Sequence, residues 1–108
     1  MKETYDIVKN ILPDQSAYDR MLYLLYNYRD LKKGVEINEE SRNIMRMIDR
    51  AVELIEEDRY ICIIKMMLDG MTVDQMAESI PLERKSIYKH RKRLIKRLSI
   101  VIFGDAAL

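Results

Sequence analysis

Apolar residues recur every three or four positions along nearly the whole chain, the spacing that gathers them on one face of a helix. Tyr5, Val8 and Leu12 form a thin stripe that predicts a short leading helix over Met1 to Leu12, interrupted by Pro13-Asp14. Met21, Leu24, Leu25, Tyr28 and Leu31 predict a long helix from about Ser16 to Lys33, ended by Gly34. Asn38 stands where the next helix needs a cap, and Glu39 and Glu40 follow in the first turn, where the helix dipole favours anions. That helix carries Ile44, Met47, Ile48, Ala51, Val52 and Ile55 at helical spacing. Asp58 is expected to cap a further helix holding Ile61, Ile63, Ile64, Met67 and Leu68.

The next segment changes character. Gly70 suits the left-handed position that closes a helix, and Thr72 suits an N-cap. Val73, Met76, Ala77 and Ile80 make a short amphipathic element, with Ala77 small enough for a close neighbour. Pro81 then breaks it, lacking a donor and disfavouring helical geometry at Ile80, and Leu82 can plug the turn. A helix resumes near Glu83 or Arg84 with Ile87, Leu94 and Leu98 on one stripe. Two short helices joined by so tight a turn, the second of them basic, are what a helix-turn-helix requires.

Composition supports one class. Three Gly and two Pro leave little for hairpins, while helix formers dominate, so the fold expected is an all-α compact helical bundle. Neither repeats nor long linkers interrupt it. The connection around residues 35–38 is the expected hinge between an N-terminal helical segment, 1–37, and a helix-turn-helix domain, 38–108. One cysteine excludes an internal disulfide and fits a reducing cytoplasm. The apolar runs are too short for a signal peptide or membrane span, so a cytoplasmic location without a membrane partner is expected.

Charge sharpens the picture. Residues 84–97 hold eight Lys or Arg and no acid, whereas residues 1–83 hold 11 basic and 17 acidic side chains. The overall net charge of +1 therefore hides a divided molecule. Concentrated positive charge gains binding free energy by releasing counterions from a phosphate backbone, and an acidic remainder limits indiscriminate contact.

Residues 55–98 resemble the C-terminal promoter-binding region, region four, of bacterial sigma factors. Ile55 and Arg59 sit where that region has its Leu-Pro-x-x-x-Arg opening. Gly70-Met71-Thr72 resembles its Gly-x-Thr, Gln75-Met76-Ala77 its Glu-Ile-Ala, and Ser86-Ile87 its Thr-Val. Arg93-Leu94 and Arg97-Leu98 resemble its closing basic-apolar helix. Pro81 replaces the usual turn Gly and Glu83 the usual Ser cap. The whole chain, with its Tyr-rich front and terminal Leu-x-x-x-x-Phe-Gly, looks like small phage and prophage transcriptional regulators of the ArpU type. The resemblance implies a sequence-specific DNA-binding regulator of transcription, phage-related, with RNA polymerase as a further possible partner. With 108 residues the chain has no room for a sigma factor's promoter-melting region, so independent initiation is not expected.

Helical geometry sorts the basic residues. With Ile87 facing the core and about 100° per residue, Leu94 and Leu98 return to the same side. Lys85, Lys89, Lys92 and Lys96 point nearly opposite, toward DNA, with Tyr88 and Arg93 on the flanks. Residues early in a recognition helix reach base edges, so Arg84, Lys85, Tyr88 and Lys89 are the candidates for sequence reading. Lys92, Arg93 and Lys96 are assigned to the backbone. Arg91 and Arg97 sit nearer the protein side and are expected to pair with acids such as Glu78.

Other residues carry less. His90 has no ligand set around it and reads as a packing or phosphate-facing position. Cys62 lies in an apolar run and reads as a buried inert thiol; Glu53, Glu56, Glu57 and Asp58 read as a solvated face with a cap. No Ser/His/Asp arrangement, phosphate loop or metal site is visible, so neither an enzyme nor a cofactor is expected. Tyr18, Tyr23, Tyr26 and Tyr28 occupy more than one side of their helix, and Ile100-Val101-Ile102-Phe103 adds apolar surface at the other end. Core packing is one reading of this surplus. The other is a partner or homodimer surface on the front helix, giving the two reading heads such regulators generally need. A pure interaction adaptor docking on RNA polymerase is the alternative function.

Overall fold

Three of the helix starts are set by side-chain caps that satisfy otherwise orphan backbone N–H groups. In a computed structural model, which describes residues 15–107, Ser16 Oγ accepts from the Asp19 N–H at 3.1 Å and Asn38 Oδ1 from Ser41 at 2.7 Å. Thr72 and Gln75 form a reciprocal capping box, Oγ1 accepting at 3.2 Å and Oε1 at 2.8 Å. The leading helix expected over Met1 to Leu12 and its break at Pro13-Asp14 lie outside the described residues.

Among the described residues the chain is all-helical and without strands. Six α-helices follow one another: α1 Ala17–Tyr26, α2 Tyr28–Gly34, α3 Glu39–Leu54, α4 Ile61–Leu68, α5 Val73–Ser79 and α6 Arg84–Phe103, closed by a 3₁₀ turn, Gly104–Ala107. Gly70 terminates α4 with φ of 81°, its N–H on Met67 O and the Met71 N–H on Met66 O, the paired bonds of a left-handed cap. Ile80 is extended at φ −132°, as the following Pro81 demands, and half-buried Leu82 packs on the core beneath the turn.

The single long helix expected from Ser16 to Lys33 is two. Asn27, at φ −97° and ψ 6°, ends α1, and its Nδ2 donates to Tyr23 O at 2.7 Å. An Asn side chain that bonds the backbone this way competes with helix propagation. The break lets α2 settle on α3, where the Tyr28 hydroxyl donates to Asp49 Oδ1 at 2.7 Å. Burial first, then that hydrogen bond, pushes the Tyr28 phenol up to about 12. The connection at 35–38, expected to be a hinge, is tied down: Ile37 and Asn38 N–H both donate to Gly34 O at 2.9 Å, and Arg42 Nη1 to Val35 O at 2.7 Å.

Helix α6 is the centre of the core. It packs against α1, α3, α4, α5 and the 3₁₀ turn. Ile87, Leu94, Ile95 and Leu98 are fully buried, as are Met21, Leu24 and Leu25 from α1, Ile48 from α3, Ile63 and Ile64 from α4, and Met76 from α5. Each such side chain contributes roughly 1.5–3 kcal/mol through removal from water. The front helix therefore shares one core with the residues after it, its apolar face spent on α6 and α4. Phe103 is buried too, while Ile100 and Val101 stay exposed.

Cys62 departs from expectation and is exposed. In an eight-residue helix the arc through Ile61, Ile63, Ile64, Met67 and Leu68 takes the inward face, which leaves Cys62 outside. No helix of the described residues is long and apolar enough to cross a membrane.

The shared core has a measurable consequence. Met21, with 0% of its surface exposed, should cost about 2–5 kcal/mol when replaced by Ala, unfolding the whole chain earlier in one transition. Urea denaturation checks it; an early melting of α1 alone, with the main transition unmoved, would contradict it.

Candidate nucleic-acid interface

The site begins at the four residues between α5 and α6. Glu83 occupies the N-cap of α6 without a side-chain hydrogen bond, so the start of the helix is held from elsewhere. Arg84 does this: its Nε lies 2.8 Å from Asp74 Oδ1 on α5, tying the two helices together across the turn. One candidate base-reading residue is thus engaged with a neighbouring acid. Along the rest of α6 the 3.6-residue period works as expected. The apolar stripe goes inward, and Lys85, Lys89, Lys92 and Lys96 face solvent on the opposite side. Among the described residues no acid pairs with any of these four lysines.

The arginines behave differently. Arg93 grips Asp58 with both terminal nitrogens, Nη1 to Oδ2 at 2.7 Å and Nη2 to Oδ1 at 3.0 Å. Arg97 adds a third bond to Asp58 Oδ2 at 3.2 Å and a second pairing with Glu57. Asp58 also accepts the Tyr60 N–H at 3.0 Å. Its side chain is only 8% exposed, and the Arg93 fork above all holds its carboxyl far below the usual range, against the opposing effect of burial. Two expectations are corrected here: Arg97 pairs with Glu57 and Asp58, not with Glu78, and Asp58 is a clamp on α6 rather than part of a solvated face. Arg93, expected at the DNA backbone, has its fork on Asp58.

The clamp adds a polar tie to the apolar packing of α6. Asp58 sits in the connection between α3 and α4, so the network binds the far flank of the basic helix to the body. On the same flank His90 stacks on Tyr60, ring centroids 3.8 Å apart and planes 21° from parallel. Its Nδ1 is buried with no hydrogen-bond partner. Burial first, then the cations Arg93 and Lys89, depresses its basicity, so the imidazole is a neutral packing surface. On the opposite flank Tyr88 is 52% exposed and Arg91, half-buried, lies 5.1 Å over its ring.

Of the residues singled out in the sequence, Lys85, Tyr88, Lys89, Lys92 and Lys96 come together on one exposed face. Arg84 and Arg93 border that face with their charges already partnered. The acids that partner them, Asp74 and Asp58, had no mark in the sequence that distinguished them as struts; only Asp74, ten residues before Arg84, is near enough to suggest itself. Among the described residues no group of three His, Cys, Asp or Glu could hold a metal ion. Comparisons with protein-family models, with curated proteins and with solved structures give no match.

Two outcomes test this geometry. Asp58→Ala strands the Arg93 guanidinium and leaves Arg97 with Glu57 alone; because Arg93 is 44% exposed and can rehydrate, the loss should be about 1–3 kcal/mol, with Glu57→Ala much milder. Denaturant midpoints of both variants are the check. His90 sets a pH dependence. Its folded basicity lies below the ordinary value of 6.5, so on acidification the unfolded chain takes up the proton first. Stability should be flat above about pH 7 and decline as pH falls through about 6.5 toward the folded value, in the range where histidine titrates. The thermal midpoint should show this decline in the native chain and lose it in His90→Gln.

Proposed function

We propose that this protein is a cytoplasmic transcriptional regulator that binds double-stranded DNA and reads the major groove with α6 over residues 84–98. One observation carries the reading. On α6 the arginines that meet acids are turned to the flanks, while four lysines at spacing four, three and four are exposed and pair with no acid among the described residues. A row of uncompensated cations on a rigid, well-anchored helix suits a polyanion of regular pitch. Lys85, Tyr88 and Lys89, near the start of the helix, would approach base edges, and Lys92 and Lys96 phosphates. Arg84 and Arg93 would contribute chiefly by holding the helix in place. The helix pair α5–α6 fits the helix-turn-helix role, and the likeness to sigma region four and to ArpU-type phage regulators agrees with it.

A second reading, an adaptor docking on RNA polymerase, is favoured by the exposed rings of Tyr23 and Tyr26 on α1, the latter 61% exposed. Those two rings, with half-buried Tyr18 and Leu22, are also what α1 has left for a homodimer contact, since Met21, Leu24 and Leu25 are buried within the chain. The DNA reading differs from both in requiring Lys89 and Lys92.

Titration of duplex promoter fragments over a salt series tests it. Affinity should fall steeply with salt, by about 0.9 in log–log slope for each phosphate contacted. Lys85→Ala and Lys89→Ala should weaken a specific site by roughly 1–3 kcal/mol more than random DNA, whereas Lys92→Ala and Lys96→Ala should weaken all duplexes alike and flatten the slope. Negligible binding at low salt, or indifference to all four substitutions, would favour the adaptor.

A further inference from the structure

Beside the lysine face lies a groove that the sequence did not single out. It has a volume of about 470 Å³ and runs between the α1–α2 junction, the turn after α4 and the first half of α6. Tyr26 and Arg29 form one wall, Gly70 to Thr72 the floor, and Tyr88 and Arg91 the other wall. No acid lines it. Among the described residues no acid pairs with Arg29 or Arg91, in contrast to Arg84, Arg93 and Arg97 on the other borders of α6.

The guanidinium of Arg29 is placed by the floor. A Cβ built on Gly70 would stand 2.6 Å from its Nη1, so the side chain lies directly across that glycine. The contact needs the bare backbone that the positive φ of Gly70 already selects. Arg91 leans on the Tyr88 ring and is likewise kept at the groove rather than swinging freely. Two positioned guanidiniums and two exposed phenols form a donor-rich cleft for an oxyanion such as a phosphate.

Tyr88 belongs to both surfaces: it flanks the lysine stripe on α6 and walls the groove. We infer that the groove receives the sugar-phosphate backbone of the same duplex, Arg29 and Arg91 clamping the strand that runs past Tyr88 when α6 lies in the major groove. The inference rests on the DNA reading of α6 and extends it to the front of the chain. It gives α1 and α2 a part in binding: they deliver Arg29 to the turn before α5, where a phosphate contact fixes the register of the reading helix without itself reading sequence.

The test uses the full chain and a random-sequence duplex, on which backbone contacts dominate. Arg29 is exposed, so Arg29→Ala should leave the circular dichroism and melting unchanged. Losing one phosphate contact should flatten the salt slope by about 0.9 and, at ~0.1 M salt, weaken binding roughly eightfold. Arg29→Lys, which keeps the charge, should retain the slope and most of the affinity. Wild-type slope and affinity in Arg29→Ala, with Lys92→Ala impaired, overturns the groove while leaving the function of α6 intact. A slope unchanged despite weaker binding, or a loss that Lys does not restore, also overturns it, since the contact would not be ionic. If the unaltered protein binds no duplex, both readings fall together.

Discussion

Everything in this protein depends on α6 serving two solvents at once. One side of the helix is the middle of the core, touched by α1, α3, α4 and α5; the other is open to water and carries a row of lysines. A helix this basic would not be stable on its own charge pattern, because like charges at i,i+4 repel. Burial of Ile87, Leu94, Ile95 and Leu98 overcomes that repulsion by several kcal/mol. The repulsion is therefore stored in the folded state, and a polyanion that relieves it gains what folding gave up.

The division of labour between the two cation types follows from their chemistry. Arg93 and Arg97 present planar forks that match a carboxylate, and Asp58 accepts three bonds from them. Lysine is a compact, strongly hydrated charge with no such match, and it is lysine that occupies the free face. Asp58 thus neutralises the flank without reaching the centre of the stripe. With Arg84 on Asp74 the helix is braced at its start and middle, on two sides, by pairs drawn from different elements. Under the proposed DNA reading, bracing of this kind would hold the register of the contacts that α6 makes.

The front of the chain completes the core rather than standing apart from it. Met21, Leu24 and Leu25 cover a flank of α6 that the short helices α4 and α5 leave open. Ser99 is accommodated in that buried surface by donating to Ile95 O at 2.8 Å, so the inward polar atom has a partner. Of the exposed aromatic rings among the described residues, Tyr26 and Tyr88 border the groove beside the basic face, whereas Tyr23 faces the α2–α3 side of the molecule.

Much of this was legible in the chain because it obeys local rules. Asn38, Thr72, Gly70 and Pro81 act on backbone groups within four residues, and the facing of Lys85, Lys89, Lys92 and Lys96 follows from the helical period once Ile87 is inward. The all-helical class needed no more. What the sequence could not decide were choices between nearly equal local states settled by remote partners. Asn27 costs a helix little, and the Tyr28–Asp49 bond, 21 residues across, belongs with the break. Cys62 lay outside the core because of which arc α4 turned inward. The fate of Arg93 and Arg97 hung on Asp58, 35 and 39 residues before them, and the place of Arg29 on the turn at Gly70. Periodicity tells a side chain which face it is on; only the packed fold brings the acid, or the groove, to that face.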